Sequence, residues 1–222
     1  MSLIGALIIF SGGLILGSGL IVLFRHRSDR VGQIFFFLTL IISLWTISFS
    51  FYRTKPFNLE ILHYAQIVYV FAFLMVFCLW LLSNYYPTKT RDIARGLFFG
   101  GVFYTLFISV IIFQGKFVNS TIIIDNEFVE DKYNLYYYYF YIFVIVLYVV
   151  IALKNFLSKM DSNEGFIFRQ SRVLILGLSI SALSILFFNL LLPYYGIFYF
   201  DWLGPLSLLP IVVSVAYIMT KK

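Results

Sequence analysis

Seven long apolar runs follow one another along this chain, and most of its basic residues fall on alternate connections between them. Each run holds about 20 mostly apolar residues, the length that carries an α-helix across roughly 30 Å of hydrocarbon. A soluble core has no way to bury seven such segments. The pattern predicts an all-α membrane protein, a single domain over residues 1–222 built as a bundle of seven spans.

Those spans read as 3–24, 32–52, 61–82, 96–114, 135–153, 173–192 and 203–219. Of the sixteen Lys and Arg residues, twelve lie after the first, third, fifth and seventh runs. They are Arg25, Arg27 and Arg30, then Lys89, Arg91 and Arg95, then Lys154, Lys159, Arg169 and Arg172, and finally Lys221 and Lys222. The other connections carry only Arg53, Lys55, Lys116 and Lys132. Because Lys and Arg are retained in the cytoplasm, the expected topology is N-terminus outside and C-terminus inside. No positive charge precedes residues 3–24, so they read as an uncleaved helix rather than as a signal peptide.

Hydrophobic residues make up 62% of the chain and charged ones 12%, as expected of a membrane bundle. The net charge of +6 is spread over short loops, with no patch that could track phosphates, so nucleic acid is not expected as a partner. Cys78 is the only cysteine, which excludes an internal disulfide. His26 and His63 stand far apart without a motif, and no metal or other cofactor is expected.

The longest outer connection, 115–134, combines a β-branched run at Thr121–Ile124, a turn signal at Asp125-Asn126 and a return from Glu127 to Glu130. It predicts a small extracellular β-hairpin at 117–131, which must rest on something because an isolated hairpin is marginal in water. Tyr136 to Phe140 follow at once, and Tyr194, Tyr195, Phe198, Tyr199, Phe200 and Trp202 stand at the same depth between the last two spans. These rings suit first an aromatic belt at the headgroup level, and second the wall of an outer pocket. Small residues spaced by four, Gly13 with Gly17, Gly96 with Gly100 and Gly177 with Ser181, predict close helix contacts.

No span carries Asp, Glu, Lys or Arg near its middle. That argues against an ion-coupled transporter, and the lack of a lysine in the seventh span argues against a retinal protein. Paired carboxylates, a Ser-His-Asp set and a phosphate-binding loop are lacking, so no enzymatic activity is expected. The polar groups inside the bundle are neutral: Thr39, Ser43, Trp45, Ser48, Gln66, Tyr69, Tyr104 and Asn189. Lipid offers them no partner, so each needs an interhelical bond or a ligand. Gln66, Tyr69, Asn189, Tyr194, Tyr195 and Trp202 are the candidate ligand pocket.

The run Arg169-Gln170-Ser171-Arg172-Val173-Leu174-Ile175-Leu176-Gly177, followed by Asn189-Leu190-Leu191-Leu192-Pro193 and Gly196-Ile197-Phe198, resembles the N-terminal seven-helix sensor region of bacterial histidine kinases. Trp202-Leu203-Gly204-Pro205-Leu206 and Ala216-Tyr217-Ile218 are similar to that family's last helix, Leu44-Trp45 to its Leu-Trp pair, and Tyr85-Tyr86-Pro87 to its Phe-Pro boundary. The resemblance implies structural roles for Trp45, Pro87, Arg172, Pro193, Gly204, Pro205 and Tyr217. It further implies a sensor or receptor-like input module in the bacterial plasma membrane. In the family the seventh helix continues into kinase modules, whereas this sequence ends at Lys222, and neither His26 nor His63 has a dimerisation-helix context. The expected partners are the lipid bilayer, an unidentified small ligand, a cytoplasmic kinase or other output module, and a second copy of the chain. A small-solute or lipid transporter, or a structural membrane subunit, is the alternative reading.

Overall fold

The computed structural model describes residues 3–26, 29–54, 60–86, 95–124, 128–160, 165–192, 195, 197 and 200–220. Helices α1 (Leu3–Arg25), α2 (Arg30–Thr54), α3 (Ile61–Tyr85) and α4 (Arg95–Phe113) come first. Two strands, β1 (Val118–Ile124) and β2 (Phe128–Tyr133), precede α5 (Leu135–Ser158) and α6 (Gly165–Leu186). The latter runs on into a π turn, Phe187–Leu191. A short helical turn, Leu203–Leu206, leads into α7 (Leu209–Thr220).

Five of these helices are long and apolar enough to cross a membrane: Ile4–Arg25, Arg30–Thr54, Ile61–Tyr85, Leu135–Ser158 and Gly165–Asn189. The molecule is a membrane-type helical bundle. The other two apolar stretches, Phe98–Phe113 and Leu203–Met219, are shorter. Within the helices, small hydroxyls satisfy themselves on the preceding turn. Ser11 Oγ donates to the Ile8 carbonyl at 2.7 Å, Thr39 Oγ1 to Phe36 at 2.9 Å and Thr46 Oγ1 to Ile42 at 2.8 Å. Such bonds let polar residues sit in a hydrocarbon-facing helix at little cost.

Neighbouring helices form a closed ring in the order α1, α2, α3, α5, α6, α7, with α7 packed back against α1. Helix α4 and the hairpin lie outside this ring, against α3. The His26 ring nitrogen Nε2 bonds the Met219 carbonyl at 3.0 Å and ties the end of α1 to the end of α7.

Close contacts fall partly where the spacing of small residues placed them. A Cβ on Gly177 would stand 2.9 Å from Ser214 Cβ and 3.0 Å from the Pro210 carbonyl, so α6 and α7 touch there through hydrogen. Ser181 Oγ, one turn on, accepts from the Ile211 amide at 3.1 Å. By contrast, nothing lies within 4 Å of a Cβ on Gly13, Gly17 or Gly100. In α1 it is Gly12 and Gly19, both buried, that face Thr46 and Thr39 of α2. Spacing identified small faces but not the face each neighbour uses. The surroundings of Gly96 lie outside the described residues.

Three boundaries also differ from the hydropathy reading. Helix α6 starts at Gly165, not at 173, because hydropathy falls at Arg169, Gln170 and Arg172 while the backbone stays helical. Likewise α5 runs on past 153 to Ser158. The last apolar run is broken at Ser207–Leu208, since Pro210 has no amide to donate and its ring blocks the carbonyl four residues back. Ser181 Oγ serves the Ile211 amide beside this break.

The hairpin forms with antiparallel pairs from Ile124↔Phe128 to Val118↔Tyr133, so its second strand ends two residues beyond the expected 131. Its turn residues, Asp125-Asn126, lie outside the described residues. Gly115, at φ +69°, makes the left-handed turn that swings the chain from α4 into β1.

Candidate functional site

A cavity of about 630 Å³ lies between α2, α3, α5 and α6. Helix α2 contributes Trp45, Phe49 and Tyr52; α3 contributes one stripe from Ala65 through Tyr69 and Ala72 to Val76. The walls on α5 run from Leu135 to Leu153, and α6 adds Ser179, Ala182, Leu183, Ile185, Leu186 and Asn189. On the open side, between α5 and α6, Val150 is 53% exposed and Leu183 68%. That geometry leaves an opening between α5 and α6.

The two ends of the cavity differ in chemistry. Rings gather at the hairpin end: Tyr52, Tyr69, Tyr133, Tyr138, Tyr139 and Tyr141 all line it. Aliphatic side chains, among them Met75, Val76, Val149 and Leu153, line the other end.

The ring cluster explains how the hairpin is held. Asn134 caps α5 by accepting from the Tyr136 amide at 3.2 Å, which fixes the turn from β2 into the helix. Tyr133 then stacks on Tyr138 with centroids 4.3 Å apart, and Phe117 meets Tyr69 edge-on at 4.9 Å. The Tyr69 and Tyr133 hydroxyls are hydrogen-bonded to each other, and Tyr141 Oη donates to the Tyr69 carbonyl at 2.8 Å. Of the Tyr136–Phe140 run, Tyr136, Tyr139 and Phe140 are exposed, while Tyr138 turns inward. One tyrosine cluster thus supplies both an outer surface and a cavity wall.

One charged residue among those lining the cavity is Asp201, in the connection before the last apolar run. It forms an ion pair with Arg53 at the end of α2, with side chains only 18% and 12% exposed. Burial pushes the Asp201 carboxyl up to about 6, outweighing the Arg53 guanidinium and the Trp202 amide, which pull it down. Sequence reading had not singled out Asp201. Its one signal is that of a lone acid within an aromatic-rich connection.

Of the pocket candidates, Tyr69 and Asn189 line this cavity. Gln66 is buried but lies outside the cavity lining, off the stripe of α3 that faces it. Trp202 packs against the core, and Tyr195 is 69% exposed, so neither of these lines it. Tyr194 lies outside the described residues, as do Phe198, Tyr199, Pro87 and Pro193. Among the family-motif residues, Trp45 lines the cavity at 3% exposure, Gly204 and Pro205 are buried, and Arg172 and Tyr217 are exposed.

Two buried polar atoms of lining residues, Trp45 Nε1 and Asn189 Oδ1, have no hydrogen-bond partner among the described residues. Among the described residues, the interhelical bond that Asn189 needs is not made through its Oδ1. Its amide instead fills the space beside Gly204. Lys159, counted above among the basic residues of a connection, is buried and caps α3. Its Nζ donates to the Ser83 and Tyr86 carbonyls at 2.7 Å each.

The described residues contain no group of three or more His, Cys, Asp or Glu that could hold a metal. What the cavity offers is ring faces, an aliphatic slot and a carboxylate, which is the chemistry of binding. Comparison with protein-family models and with curated proteins finds no match.

Proposed function

We propose that this chain is a seven-helix input module of histidine-kinase type, a receptor rather than an enzyme, in the bacterial plasma membrane. In this reading α4 and the broken last helix complete seven crossings, with the hairpin outside and the end of α7 in the cytoplasm. The basic residues on alternate connections support that orientation.

One observation carries the reading: the helix that walls the cavity is the helix on which α7 rests. Helix α6 lines the cavity from Ser179 to Asn189 and meets α7 through Gly177 and Ser181. A second, smaller cavity of about 50 Å³ shares Val76, Ala182 and Ile185 with the first and touches Leu208 and Ile211, at the break. The π turn at Asn189 gives α6 a segment that can change register, a device common at functional sites. A ligand that fits one arrangement of α6 better than another would bias the position of α7.

Reporter fusions after residues 120 and 222 should label opposite compartments. In a fusion of residue 222 to a kinase output, filling the cavity with Ala182→Phe should shift basal autophosphorylation, while Val213→Phe on the exposed side of α7 should not. Equal kinase activity in all three chains, at equal expression, would remove the sensor reading.

A further inference from the structure

The main cavity is graded along its length. At the hairpin end, Trp45, Phe49 and Tyr52 from α2, Tyr69 from α3, and Tyr138 and Tyr141 from α5 line a space whose wall also holds Asp201. Toward the other end those rings give way to Met75, Val149, Leu153 and Ala182. Along α5 the lining extends from Leu135 to Leu153, a rise of about 27 Å at 1.5 Å per residue. Aromatic faces carry negative potential and attract cations, most strongly where water is excluded. A carboxylate beside such faces adds a full negative charge, and its partner in this structure, Arg53, is itself an organic cation.

We propose that the cavity binds an amphiphilic organic cation, its ammonium head against Asp201 and the surrounding rings, its aliphatic tail along the Met75–Leu153 end. The head takes the place of the Arg53 guanidinium on Asp201, and the tail enters between α5 and α6 through the exposed rim at Val150 and Leu183. The ion pair is thus a self-ligand: Arg53 holds Asp201 until a better-placed cation displaces it. This assignment rests on reading the cavity as the input site, and the two fail separately, because binding is measured on the purified chain without an output.

The test uses the full chain in nanodiscs of phosphatidylethanolamine and phosphatidylglycerol, with empty nanodiscs as background, at about pH 8 where a carboxyl group is ionised. Labelled decyltrimethylammonium should bind saturably, and 1-decanol and decanoate of equal chain length at least about tenfold more weakly. Asp201→Asn should weaken the cation by about tenfold or more, whereas Arg53→Met should strengthen it, because it frees the carboxylate. Phe49→Leu keeps apolar bulk but removes a ring face and should weaken the cation about threefold while leaving decanol unchanged. Opposite signs for Asp201→Asn and Arg53→Met separate ligand contact from a structural pair, which both changes would harm alike. Equal binding of decanol, tighter binding of decanoate, or no saturable binding would overturn the proposal. Should Asp201→Asn fail to fold, the Phe49→Leu comparison decides. A cation that binds as expected but leaves the fused kinase unmoved would overturn the sensor reading alone.

Discussion

The side-chain amide of Asn189 occupies the space that a Cβ on Gly204 would need, so the π turn ending α6 and the helical turn before α7 meet without a methyl group between them. They belong to two separate stretches, Asn189–Leu192 and Trp202–Leu206, and the missing side chain of the glycine is what lets these meet. A side chain at 204 has to displace the Asn189 amide from between two elements that join the cavity wall to the last helix.

Substitutions on the two sides of this contact should act with opposite sign. Gly204→Ala overpacks it and should cost about 1–3 kcal/mol. Asn189→Leu keeps branching and size but removes an acceptor whose Oδ1 is buried without a partner among the described residues, so stability should hold or rise by up to about 1 kcal/mol. Unfolding in mixed micelles measures both. A loss above that range for Asn189→Leu would mean that the amide has a partner in the membrane.

Lys159 and Lys154 lie five residues apart in the same basic stretch, yet only Lys154 is exposed. Lys159→Ala leaves the Ser83 and Tyr86 carbonyls without their donor and should destabilise by about 1–3 kcal/mol. Lys154→Ala should change stability by less than about 0.5 kcal/mol. Similar effects from both would return Lys159 to the solvated charges.

Glycine scanning should separate contact from spacing. At Gly177 a methyl meets Ser214 Cβ and the Pro210 carbonyl, and since backbone cannot yield, Gly177→Ala should destabilise by about 1–3 kcal/mol. Gly13 has open space around it, so Gly13→Ala should gain up to about 1 kcal/mol from helix propensity. Matching losses at both positions would place a neighbour against Gly13, such as a second copy of the chain.

Much of this architecture is legible in hydropathy, because a helix that crosses lipid must be apolar over about 20 residues whatever it packs against. The hairpin was legible too, from its β-branched run, its turn signal and its return strand, but the tyrosines on which it rests were not. What hydropathy misses is geometry that depends on a neighbour. Gly12 and Gly19, not Gly13 and Gly17, face α2. Gln66 lies off the cavity face of its own helix, although Tyr69 lines that cavity. Asp201 and Arg53 are 148 residues apart and meet only because the ring of helices closes. Pairings of this kind leave no local signature in a single sequence.

The pH dependence of stability should report on Asp201. Its carboxyl titrates near 6 in the folded chain against an ordinary 3.8, because burial penalises the ionised form more than Arg53 and the Trp202 amide favour it. A carboxyl raised in this way binds its proton more tightly folded than unfolded. The stability it contributes is complete below about pH 4 and is lost as pH rises through about 6, a change on the order of 1–3 kcal/mol. Asp201→Asn is a neutral isostere and should flatten that decline while leaving the rest of the pH profile in place. Unfolding midpoints taken at intervals between about pH 4 and 7 would show it. Parallel curves for the two proteins would mean that Arg53 stabilises the carboxylate enough to cancel its burial, and that the pair holds at full strength across this range.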